Sequence, residues 1–396
     1  MTNTPGASDI GISHSTLVSC LGRGRTPHVT ALRDGTSGLR EDHHLDLPFS
    51  CFLGEVDDLT ALCFPVELSA YDNRANRLAL AALESDGFFQ AALATRENWG
   101  ATRCGIVVGT STAGVEMLER VYRARDDDAP MPESYSMRHH DSQQAVAAFL
   151  QDYLDFQGPS YSISTACSSS AKALVDAYQL IEAGLCDAVL VGGVDSLCLT
   201  SLNGFESLEL ISRSPCKPCD SNRDGLSIGE AAAFLIVERD SKNSIRVSGF
   251  GESSDGTNMS TPPEDGAGAA AAIRQALQRA GLTAGEIDYV NLHGTATVVN
   301  DAAEAQAVNS VIGADVPASS LKGAIGHTLG AAGAAEAVLS LYALEEGIIP
   351  GNPGLEQLDP KVLPNVAAQC RNAPLKHVVS NSFGFGGSNC ALVFSR

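Results

Sequence analysis

Aromatic side chains are scarce in this 396-residue chain, at 6% with a single tryptophan. Charge is thin as well, at 18%, and one-sided: 47 acids against 26 lysines and arginines leave a formal net charge of −21. So acidic a chain lacks the basic face that phosphate backbones and anionic lipid demand, which excludes nucleic-acid binding and electrostatic membrane attachment. No run approaches the ~20 apolar residues of a membrane span. The opening MTNTPGASD has no basic stretch leading into an apolar one, so no secretory signal is expected and the chain reads as soluble and cytoplasmic. The 11 cysteines are not spaced as a disulfide framework. One CxxC pair, Cys216 and Cys219, has no second pair or spaced histidines to complete a zinc site. His43-His44 and His139-His140 lack ligand spacing too and are expected at the surface, so no metal is expected.

What is present is small and apolar. Hydrophobic residues reach 44%, with 38 glycines and abundant alanine, which suits helices packed tightly on sheets. Short Val/Ile-rich runs alternate with amphipathic stretches, the pattern of an α/β protein with buried strands. GIVVG at 105–109 reads as a strand; Ala171, Leu174, Tyr178, Ile181 and Leu185 share a helix face; AVLV at 188–191 is a strand closed by Gly192-Gly193. The polar run RDSKNS after Glu238 divides an N-terminal half, 1–240, from a C-terminal half, 241–396. The second half repeats the rhythm: a helix through Ile273, Leu277 and Ala280, a strand YVNL ending at His293, a small-residue helix near 329–346, and a strand from Val378. Identities between the halves are too few to establish a repeat.

Four segments carry candidate chemistry. In YSISTACSSSAKAL (161–174) a β-prone run meets a helix at Cys167. The free N–H groups of a helix start favour thiolate and predict a lowered thiol pKa, while a buried structural cysteine is the plain alternative. In NLHGTATVVND (291–301) His293 stands at a strand end with Thr295 and Thr297 on the following loop, where open α/β sheets bind ligands. In SLKGAIGHTLGAAGAAEAV (320–338) Lys322 precedes His327, which heads a helix of very small residues as Cys167 does. Glu336 is the one acid of that stretch, and Lys322 its expected partner. NSFGFGGSN (381–389) is a Gly-rich loop able to expose N–H donors; a strand rather than a helix follows, so a dinucleotide fingerprint is a poor reading.

Together these segments strongly resemble the β-ketoacyl-acyl-carrier-protein synthase family of the thiolase superfamily, in its Cys-His-His branch. NGFESLELIS (203–212) and CDSNRDGLSIGEAAAFLIVE (219–238) extend the likeness over most of the chain. The resemblance implies a thiolase-like fold, two similar βα halves in an αβαβα core. It implies decarboxylative condensation of malonyl-carrier protein with an acyl chain held on Cys167. The backbone N–H groups of Cys167 and Phe385 would form the oxyanion hole, and His293 and His327 would bond the malonyl thioester carbonyl as neutral imidazoles. Lys322 would position His327, with Glu336, Asp301 and Glu304 in support. Thr295, Thr297, Phe205, Phe383, Gly384 and Gly386 would meet the pantetheine arm or gate the chain pocket. Phosphopantetheine would come with the acyl carrier protein, so no resident cofactor is implied, and the family is dimeric, as a homodimer or with a second ketosynthase-like subunit.

Two departures bear on the carrier. Arg74 and Arg77 match basic docking positions, but Glu209 stands at an often basic one, and Arg123 and Arg125 run into Asp126-Asp127-Asp128. At −21 the encounter with an acidic carrier is repulsive at long range, which points to a dedicated carrier in a polyketide-like or aryl-polyene pathway. Among rivals, a CoA-dependent thiolase would open its Gly-rich loop with a second cysteine, where Asn381 stands here. An initiating synthase would carry Asn in place of His327. A non-catalytic chain-length-factor subunit would lack the nucleophile.

Overall fold

The computed structural model describes residues 10–41, 43–126, 129–133, 135–241 and 245–396. The first nine residues, Asp127 and Asp128, and 242–244 of the polar dividing run lie outside the described residues.

Strand β6 (Ala231–Arg239) shows why the sheets are buried on both faces. Its Ala231, Ala233, Leu235 and Val237 enter one core, and Ala232, Phe234 and Ile236 another. An alternation with no polar side requires cover above and below. With β1 (Ile10–Ser19), β2 (Gly22–Arg23), β3 (Cys104–Gly109), β4 (Ser160–Ile163) and β5 (Ala188–Asp195) it forms a sheet of order β2-β1-β6-β5-β3-β4. The second sheet takes β7 (Arg246–Ser254), β8 (Tyr289–Asn291), β9 (Ala318–Ser319), β12 (His377–Gly384) and β13 (Ser388–Ser395) in the order β7-β13-β12-β8-β9. Between them in sequence, β10 (Ile348–Ile349) and β11 (Arg371–Asn372) make a small separate ribbon.

The register reveals a duplication. Across β1-β6-β5-β3-β4 the pairings run antiparallel, antiparallel, parallel, parallel. Across β7-β13-β12-β8-β9 they run in the same order. Five layers result. Helices α1 (Arg74–Leu83) and α2 (Ala145–Leu154) cover the outer face of the first sheet. Helices α3 (Ser169–Glu182) and α6 (Ala332–Glu346) lie between the sheets, and α4 (Ala267–Ala280) and α5 (Val298–Val311) cover the far face of the second. Helices α3 and α6 are equivalent in the two halves, so Cys167 and His327 occupy equivalent entries to the buried middle layer.

Several local expectations change. Strand β5 runs through Gly192-Gly193 to Asp195. These glycines serve close approach, since a Cβ on Gly193 would lie 2.6 Å from Ser170 Cβ and 2.8 Å from Ala331 Cα. Leu185 falls past the end of α3 and is exposed. Most of NSFGFGGSN is strand, with only Phe385–Gly387 forming the turn, where Gly386 and Gly387 hold φ of 82° and 74°. His140 is buried, not on the surface, and its Nδ1 accepts from the Ser136 N–H at 3.0 Å.

Candidate active site

Cys167 sits where β4 turns into α3, and the turn is sharp enough to place Ala166 at φ 52°. The thiol is 5% exposed, at the base of a cavity of about 350 Å³. Its expected low pKa is not found: burial pushes the thiol up to about 11, against the opposing pull of the Lys322 ammonium and of the Phe385 and Cys167 backbone N–H groups. Those two N–H groups are the donors at the sulfur, and Gly384 lets the turn approach them: a Cβ there would lie 3.2 Å from the Cys167 nitrogen.

His327 follows Gly326, whose φ of 75° turns the chain from Lys322–Ile325 toward α6. Its Nε2 lies 2.9 Å from Cys167 Sγ, and its Nδ1 accepts from the Leu329 N–H at 3.3 Å. His293 hangs from the end of β8, with its ring centroid 5.5 Å from that of His327 and 5.9 Å from that of Phe383. Lys322 Nζ donates to the His293 carbonyl at 2.6 Å, lies 3.4 Å from His293 Nδ1, and pairs with Glu336. Lys322 therefore positions His293, not His327 as expected, because the chain reverses at Gly326 and sends the lysine to the neighbouring loop. Burial and the Lys322 charge hold both imidazoles well below the usual histidine range, so both are neutral. With each Nδ1 facing a donor, each single ring proton lies on Nε2.

The supporting acids divide. Glu304 accepts from the His293 and Gly294 N–H groups, both at 2.8 Å, and from Asn381 at 3.0 Å; burial raises its carboxyl to about 7. Asp301 stands farther back, accepting from the Cys219 N–H at 2.9 Å and facing Arg223. Thr295 and Thr297 line the cavity with their hydroxyls 3.0 Å apart. Phe205 and Phe385 meet above it with centroids 5.7 Å apart, and Phe383 and Gly384 complete that wall. Gly386 does not line it: its N–H is taken by the Met259 carbonyl, and Gly387 lines the cavity instead. Cys167, His293 and His327 place ligand atoms within 4.8 Å of one another, enough in distance for a soft cation. The Lys322 ammonium against His293 disfavours one.

Asp195 was not anticipated. Fully buried, it accepts from Thr110 Oγ1 at 2.7 Å, from the Ser111 and Thr112 N–H groups, and from the Gly330 N–H at 2.6 Å. It thereby ties the ends of β3 and β5 to the segment just after His327. A lone acid closing the apolar run AVLVGGVD was the available signal. Arg74 and Arg77 are not free for docking: Arg74 is paired with Glu230 and Glu55, and Arg77 with Asp72 and the Leu59 and Leu62 carbonyls. Among the described residues, no helix is long and apolar enough to cross a membrane.

A strand-end thiol facing two neutral imidazoles across a duplicated five-layer fold defines a condensing-type site. The family models agree: the β-ketoacyl synthase N-terminal domain matches residues 8–243 and the C-terminal domain residues 245–356, and the chain belongs to this family. It is 33% identical over 392 residues to the 3-oxoacyl-[acyl-carrier-protein] synthase 2 of Mycobacterium bovis, covering 92% of each chain. With the protein of that name from Rhizobium meliloti it shares 39% over 264 residues, spanning 61% of that relative's length and 61% of its own. A chain of the solved complex between the ketosynthase ApeO and its chain length factor ApeC, from Xenorhabdus doucetiae, superposes with TM-score 0.89 at 36% identity, covering 100% of both.

Proposed function

We propose that this chain is a β-ketoacyl-carrier-protein synthase that joins an acyl group on Cys167 to malonyl-carrier protein. The observation that carries this reading is the pair of neutral imidazoles, His293 and His327, each with its proton on Nε2, beside a buried thiol. In the first step Cys167 sulfur attacks an acyl thioester, and its proton leaves with the pantetheine thiol. The Cys167 and Phe385 N–H groups bond the oxyanion, each such donor contributing roughly 3 kcal/mol. In the second step the two Nε2–H groups bond the malonyl thioester carbonyl, loss of carbon dioxide leaves an enolate, and its carbon attacks the acyl-cysteine carbonyl, breaking the carbon–sulfur bond and releasing Cys167 as a thiolate that takes a proton from water. Neutral donors suit an enolate because they stabilise it without protonating it.

The pantetheine arm belongs to the carrier partner, no resident cofactor or metal takes part, and Thr295 and Thr297 meet the arm. The product enters fatty-acid or polyketide/aryl-polyene-type synthesis in the cytoplasm, where a nucleophilic thiol stays reduced. A second ketosynthase-like subunit, identical or not, pairs at β4, the open edge of its sheet among the described residues, where the Ser160 and Ser162 hydroxyls are buried with no hydrogen-bond partner among those residues. The filled roles of Cys167, His293, His327 and Lys322 disfavour a non-catalytic chain-length factor. Intact-protein mass spectrometry after incubation with an acyl-carrier protein tests the reading: an acyl adduct on Cys167 is expected, and its absence refutes it.

A further inference from the structure

Of the eight large apolar side chains exposed among the described residues, four ring the mouth of one cavity: Leu208, Met259, Val298 and Val299 line the Cys167 site. Met259 is 80% exposed and Val298 56%. Val298 and Val299 also line an adjoining groove, whose other apolar walls, Val362 and Leu363, are buried. Exposed apolar side chains gathered around one opening mark a contact site.

The charges at the mouth are all of one sign. Among the described residues, Glu209, Asp224 and Asp255 line the cavity, and no lysine or arginine does. Asp224 and Asp255 are held by the neutral donors Ser212 and Asn389, at 2.5 Å and 2.7 Å, so neither charge is cancelled there. Arg74 and Arg77, the sequence positions matching basic docking residues, are spent on buried or neighbouring acids. Lys361 is the one cation among the described residues lining the adjoining groove, and Glu264 lines the same groove.

Resting on the condensing reading above, we infer that the protein delivering the thioester docks on this mouth through an apolar face. That face is uncharged or weakly basic around its pantetheine-bearing residue. An acidic face would bring like charges against Glu209, Asp224 and Asp255, which slows encounter and weakens the complex until salt screens it.

Fluorescence anisotropy with the full-length protein tests this, using a labelled holo-carrier protein whose docking helix is acidic and its variant with those acids changed to Gln or Asn. The neutralised carrier is expected to bind about fivefold to tenfold more tightly at low salt, the gap closing at about 0.5 M salt. Val298→Asp is expected to weaken the neutralised carrier by about fivefold or more, and Glu209→Lys to strengthen the acidic one. Tighter binding of the acidic carrier, weakened by salt, overturns the inference, as does equal binding of the two. Acylation of Cys167 by free acyl-pantetheine, which needs no docking face, reports on the condensing activity separately: acylation without any carrier preference leaves that activity standing and removes the docking inference.

Discussion

Removing the Lys322 ammonium separates the two halves of the reaction. Lys322 donates to the His293 carbonyl and faces His293 Nδ1, so it fixes the tautomer that puts the His293 proton on Nε2. In Lys322→Met that ring is free to place its proton on Nδ1 and offer a lone pair to the enolate instead. A hydrogen bond from a charged donor is worth about 1.5–3 kcal/mol, so carbon dioxide release from malonyl-carrier protein should fall by about 10-fold to 100-fold. Acylation of Cys167 should change less, because Lys322 lowers the thiol pKa while its partner Glu336 raises it, and the substitution weakens both effects. Stability is the confounding factor, since breaking a buried ion pair costs about 3–5 kcal/mol. Burial already raises the Glu336 carboxyl to about 7 against the pull of Lys322, so without that charge the widowed acid protonates at neutral pH and relieves part of this cost. The double variant Lys322→Met/Glu336→Leu should recover stability in urea without recovering decarboxylation. Radiolabelled carbon dioxide release and single-turnover acylation give the two rates. Wild-type decarboxylation in the single variant, or its return in the double one, would refute the tautomer argument.

Three further outcomes follow from the same geometry. Burial lowers His28 to about 4, so between the usual 6.5 and that value only the unfolded chain takes up its proton. Stability is therefore complete above 6.5 and falls by about 3 kcal/mol as pH drops to 4, and His28→Gln should flatten that part of a urea-midpoint profile. With the Cys167 thiol pushed up to about 11, iodoacetamide labelling should rise about tenfold per pH unit through the neutral range, and a plateau near 7 would contradict the burial argument. Asp195→Asn keeps the shape but loses a charged acceptor for the Gly330 N–H; decarboxylation should fall about tenfold, with acylation less affected, and equal losses would place Asp195 in general stability rather than in holding the His327 segment.

Much of the fold was legible because buried strands leave a plain signature. GIVVG, AVLV and AAAFLIVE are apolar on both faces, and the small-residue runs after Cys167 and His327 mark helices that pass close to each other, as a Cβ on Gly333 would lie 2.7 Å from Ala171 Cβ. The glycines misled where they acted inside a strand: Gly192 and Gly193 look like a turn in sequence, yet Gly192 lies against Ala233 and Phe234 of β6, and Gly193 against Ser170 of α3 and against Ala331. Arg74 and Arg77 misled for a related reason, since a cation's partner is a matter of folding and not of spacing. The candidate site was legible as a set of residue types, each at a strand end or helix start, but not as a set of contacts.

The sequence by itself determined the residues of the site and the class of chemistry they serve, because a thiol, two histidines, a lysine and a Gly-rich turn in that order carry a family's motifs. Tertiary structure decided which groups touch. Lys322 serves His293, 29 residues away, and not His327, five residues away, because the backbone reverses at Gly326. The thiol pKa rises although a helix starts beside it, because desolvation in the buried middle layer outweighs the nearby donors and the lysine charge. Both results depend on distance through space and on exclusion of water, and neither quantity is written along a chain.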